Sequence, residues 1–147
     1  GPVYIALSSV PAISHQMLDA VSGLDGLSFV VKDHPLYPIA VNETGNLKRT
    51  PLTIPESGGL RAVLYSTGTT GLEGLLAGVP TYRFLPKDRI SPDILPPGIT
   101  VPERSATELI DALTAPEPSQ PIEWAAIMAP VDIGLWRSTL APQGRMW

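Results

Sequence analysis

The chain has 147 residues, of which 44% are hydrophobic and 16% charged, with a net charge of −4 at neutral pH and no cysteine. That length fits one domain able to bury its own core, and the composition excludes a disordered chain. The acidic balance argues against a general affinity for nucleic-acid backbones or anionic membranes. The lack of cysteine excludes a disulfide framework, a thiolate metal site and a thiol nucleophile.

No apolar run approaches the roughly 20 residues that a membrane span needs, and no signal peptide is visible. Gly1-Pro2, without an initiator methionine, reads as a remnant of tag removal and is set aside. The remainder reads as a domain cut from a longer protein.

Val3 to Leu7 ("VYIAL") is apolar and β-rich and predicts a buried strand. Ile13, Met17, Val21 and Leu24 then recur at helical spacing, with Gly23 and Gly26 near the end of that helix. "LSFVVK" (27–32) predicts a second strand, stopped by "DHPLYP". Residues 39–50 are polar and give no clear element, and "PLTI" (51–54) predicts a short third strand at an edge. "RAVLYS" (61–66) predicts the next strand, and a helix over 71–77 follows it, ended by Gly78. "PTYRFL" (80–85) is another strand, followed by proline-rich irregular chain. "ITVP" (99–102) predicts a last strand before a helix over 105–114. Residues 115–121 ("APEPSQP") read as a stiff linker, and 122–147 as a C-terminal helical segment broken at Pro130.

Strands apolar on both faces and alternating with helices imply an α/β fold, a Rossmann-like parallel sheet sandwiched by helices. The expected domain spans residues 3–114. Ligands of such sheets sit beyond the carboxyl ends of the strands. Ser8-Ser9, Lys32 to Pro35, Ser66 to Thr70 and the loop after Leu85 all fall on that edge.

"STGTTGLEG" (66–74) carries the most chemistry. Thr70 and Glu73 match the T-x-x-E capping box, as do Ser105 and Glu108 where nothing else suggests function. A cap does not account for Ser66, Thr67, Gly68 and Thr69 before it. Hydroxyls and free N–H groups at a helix start suit a phosphate, although neither the P-loop nor the dinucleotide fingerprint is present.

Lys32, Asp33 and His34 close the second strand on the same edge. Lysine and imidazole suit an anion, while the plain reading is solvated charge at a strand end. Ser8 and Ser9 read chiefly as a helix cap, His15 as a surface residue, and Asp88 and Asp93 as solvated loop residues. Trp124, Trp136 and Trp147 read as residues that pack the C-terminal pieces onto the domain or onto a missing partner domain. There is no "GxSxG" elbow, and two histidines without cysteine give no transition-metal site.

"K-x-HP" followed by "STGTTGLEGLLAGVP" resembles the C-terminal half of GT-B glycosyltransferases, nearest to bacterial capsule and surface-polysaccharide transferases. The resemblance implies a donor-binding domain that holds a nucleotide-sugar substrate, with no cofactor and no metal. Lys32, His34, Ser66, Thr67, Gly68, Thr69, Thr70 and Gly71 would hold the donor phosphate and nucleotide, and Glu73 the ribose. A CMP-sugar is favoured, with a UDP-sugar or CDP-polyol open.

The resemblance further implies an N-terminal acceptor-binding domain as partner, carrying the general base. The acidic charge balance implies no nucleic-acid partner, and the resemblance implies a cytoplasmic location, peripheral at the inner membrane through the full-length protein. The alternatives are half of a UDP-GlcNAc 2-epimerase-like enzyme, a non-catalytic Rossmann-like interaction module and, more distantly, a flavodoxin-like or receiver domain.

Overall fold

In chain order the elements are β1 (Val3–Ala6), α1 (Pro11–Val21), β2 (Phe29–Lys32), β3 (Leu47–Arg49), α2 (Ile54–Ser57), β4 (Ala62–Tyr65), α3 (Thr70–Leu76), β5 (Thr81–Phe84), β6 (Glu103–Arg104), α4 (Leu109–Thr114) and α5 (Trp124–Ile127). They are taken from a computed structural model that describes residues 1–120, 122–128 and 133–134. The six strands form one parallel sheet in the order β3-β2-β1-β4-β5-β6. This is a Rossmann-like α/β fold, and its strand order reverses direction between β1 and β4.

Alternation along the central strands assigns the two layers. Val3, Ile5, Phe29, Val31, Ala62 and Leu64 pack with Ile13, Met17 and Val21 of α1 and with Leu109 and Leu113 of α4. Tyr4 and Val63 face the other way onto Ile54 of α2, and Tyr65 packs on Leu75 of α3. Both faces are therefore covered, which is why the central strands read as continuous apolar runs. The outer strands differ: Lys48, Arg49 and Glu103 are exposed, and charge on an edge strand discourages pairing with another sheet.

Three expectations are corrected. The third strand is Leu47–Arg49, inside the polar stretch, and not residues 51–54. The carbonyls of Pro51 and Leu52 instead accept hydrogen bonds from the side chains of Lys32 and Tyr4, and Ile54 begins α2 behind a capping box formed by Thr53 and Glu56. The last strand is Glu103–Arg104; residues 99–102 precede it, with the Pro102 carbonyl accepting the Arg83 amide of β5 at 3.0 Å and Val101 joining a core cluster. At residues 105–108 the chain makes a turn, in which Glu108 accepts the Ser105 amide and hydroxyl, before α4 begins.

Residues 117–119 lie against the start of β5. The Glu117 amide donates to the Tyr82 hydroxyl at 2.9 Å, and Ser119 Oγ accepts from the Thr81 amide at 3.2 Å and donates to the Val79 carbonyl at 3.0 Å. Trp124 is 59% exposed, so of the two expected packings the one onto this domain is not seen. Trp136 and Trp147 lie outside the described residues.

Candidate functional site

A cavity of about 540 Å³ opens at the carboxyl ends of β1, β2 and β4, where the strand order reverses. Seven of the nine residues singled out above line it: Lys32, His34, Thr67, Gly68, Thr69, Thr70 and Glu73. They come from two segments more than thirty positions apart, joined through the parallel pairing of β2 to β1 and of β1 to β4. Ser66 and Gly71 are not among its lining residues.

The turn after β4 depends on glycine in two ways. Gly68 has φ +107°, in the left-handed region where other side chains are strained. At Gly71 a Cβ would overlap the Tyr65 ring, and at Gly74 it would overlap the Thr81 side chain. One glycine therefore forms the turn, and two let α3 approach the sheet closely. Thr69, and not Thr70, is the N-cap of α3. The expected Thr70–Glu73 capping box is not formed: among the described residues the Glu73 carboxylate receives only the Thr69 hydroxyl, at 3.3 Å. Glu73 is exposed at the cavity, with acceptor capacity to spare.

Across the cavity, His34 Nδ1 accepts the Leu36 amide at 3.2 Å, and the ring lies 5.4 Å from Tyr37. An accepting Nδ1 puts the imidazole proton on Nε2, which makes that nitrogen a donor. The Lys32 ammonium donates to the Pro51 carbonyl, and an ammonium has two further protons to give. Asp33, which also lines the cavity, pairs with Arg49 at 3.3 Å, so its charge is offset by a neighbour.

Sequence reasoning missed Tyr4 and Thr53 as lining residues. The alternation of β1 turns Tyr4 to the face carrying the glycine-rich turn, and "TIPE" is itself a T-x-x-E match. Burial, with the carboxylates of Glu73 and Glu56 nearby, pushes the Tyr4 phenol up to about 12. Its hydroxyl donates to the Leu52 carbonyl at 2.9 Å and holds that rim in place.

Ser66 instead works below the site. Its Oγ donates to the Phe84 carbonyl at 3.1 Å and lies 2.8 Å from Ser91 Oγ. The buried Arg83 donates through Nε to the Ser66 carbonyl at 3.2 Å and through its terminal nitrogens to Glu103 and the Ser91 carbonyl. These bonds tie the chain after β5 to the sheet, and Ile94 from that chain forms part of the cavity wall. Asp88 and Asp93 do not line the cavity, and His15 lines a separate depression near Phe29.

No family model, curated protein or solved structure matched the chain. Among the described residues no helix is long and apolar enough to cross a membrane, and no three His, Asp or Glu side chains are grouped to hold a metal ion.

Proposed function

We propose that this domain binds a nucleotide-activated sugar in the switch-point cavity and is the donor-binding half of a GT-B glycosyltransferase acting on a surface glycan. The observation that carries the reading is the gathering of Lys32, His34, Thr67 to Thr70 and Glu73 around one cavity at the reversal of strand order. Such a crevice is where open α/β sheets hold ligands. Lys32, His34 Nε2 and the threonine hydroxyls supply donors for phosphate oxygens, and Glu73 supplies acceptors for ribose hydroxyls. Cytidine is the favoured base, uridine the next.

Glycosyl transfer builds negative charge on the departing nucleotide phosphate. Donors fixed before reaction stabilise that charge without reorganising. The acceptor and its general base belong to a second domain facing this edge of the sheet. Support for such a cover comes from the exposed apolar side chains of Leu36, Tyr37, Leu52, Ile90 and Ile94, all in segments that follow the carboxyl ends of strands.

Calorimetric titration with CMP, UDP and CDP tests the reading. One nucleotide is expected to bind with a millimolar or tighter constant. Glu73→Ala and His34→Ala are each expected to weaken it about tenfold, the loss of one hydrogen bond involving a charged group. Glu73→Ala is also expected to abolish the preference for ribose over 2′-deoxyribose. Absence of binding to the folded wild-type chain at 10 mM (a limit of roughly −2.7 kcal/mol) would refute it.

A further inference from the structure

Ser8 is 1% exposed and sits between the two strand ends that frame the cavity. Its Oγ accepts the Val10 amide at 3.1 Å and lies 3.2 Å from Thr67 Oγ1. A hydroxyl has one proton to give and two positions at which to accept. Among the described residues, Thr67 Oγ1 is the only acceptor within reach of the Ser8 proton. Were Thr67 the donor instead, a buried O–H would be left unpaired, the costlier arrangement. The direction of the bond is thereby fixed, with Ser8 donating and Thr67 accepting.

Thr67 then keeps its own proton. It is half-buried, lines the cavity, and among the described residues has no acceptor besides Ser8. We infer that Ser8 is a positioning residue that turns the Thr67 hydroxyl so that its proton faces the cavity, ready to be given to an acceptor such as a phosphate oxygen. The role rests on the nucleotide reading above. It adds that Ser8, which does not touch the ligand, sets the direction of the Thr67 proton.

A double-mutant cycle on the 147-residue chain separates this role from a merely structural one. The probe is whichever of CMP, UDP and CDP binds the wild type best, and folding of each variant is checked by its amide spectrum. Thr67→Val is expected to weaken binding about tenfold and Ser8→Ala about fivefold. In the Thr67→Val background, Ser8→Ala should change affinity by less than about twofold, because its partner is already gone. Ser8→Cys, of similar size and a weaker donor, should fall between serine and alanine and serves if the alanine variant does not fold.

An equal loss from Ser8→Ala in both backgrounds would show that Ser8 acts through the start of α1 and would overturn the inference. So would unchanged affinity in Ser8→Ala. Both results leave nucleotide binding intact, whereas failure of the wild type to bind any of the three nucleotides removes the reading and this role together.

Discussion

Tyr4 joins the core to the cavity. Its ring packs with Ile54 and Val63 while its hydroxyl holds the Leu52 carbonyl. Because burial raises its phenol above the ordinary value near 10, to about 12, the folded chain keeps a proton that the unfolded chain releases. Stability from this source is complete below about pH 10 and declines as the pH rises toward about 12. Burial also raises the Tyr65 phenol, which adds to the same decline. The midpoint of urea unfolding is therefore expected to fall steeply above pH 10. Tyr4→Phe should reduce that slope without removing it, at a cost of about 1 kcal/mol near neutral pH for the lost hydrogen bond. A slope identical in the two proteins would mean that Tyr4 titrates normally.

At the scale of elements, the close seating of α3 on β4 and β5 is the decisive contact for the site. It depends on Gly71 and Gly74 having no Cβ. Gly71→Ala should destabilise the fold by about 1–3 kcal/mol through overpacking against Tyr65. Gly23→Ala, where a methyl meets open space, should change stability by less than about 0.5 kcal/mol. Urea midpoints at constant slope would measure both. Near-neutral behaviour of Gly71→Ala would show that α3 is free to lift from the sheet.

The central elements were legible because burial imposes a pattern on sequence: β1, α1, β2, β4, α3 and β5 all lie within a few residues of their apolar runs. The edge strands were not. β3 buries only Leu47 and β6 buries neither residue, so pairing with a neighbour, which local sequence does not record, makes them strands. Residues 51–54 have strand-like composition, but side chains from β1 and β2 take the carbonyls of Pro51 and Leu52.

For the whole molecule, the strand order β3-β2-β1-β4-β5-β6 explains why the candidate residues lie far apart in the chain and close in space. Parallel strands all end on one edge, and the reversal between β1 and β4 leaves a crevice there. The motifs at residues 32–34 and 66–73 were legible as chemistry before their meeting place was. The lining by Tyr4 and Thr53 and the link from Ser8 to Thr67 required the assembled sheet. Ser66 illustrates the limit of motif reading: its hydroxyl type suits a phosphate, yet the fold spends it on Phe84 and Ser91.

The measurement that tests the central claim most directly is a map of amide chemical-shift changes on titration with CMP, UDP and CDP. One nucleotide is expected to shift Leu7 to Val10, Lys32 to Leu36 and Thr67 to Glu73 together along a single binding curve, leaving His15 and the Glu117 to Ser119 segment unchanged. Saturable shifts centred away from the carboxyl ends of β1, β2 and β4 would contradict the account, as would a wild-type spectrum that all three nucleotides leave unchanged.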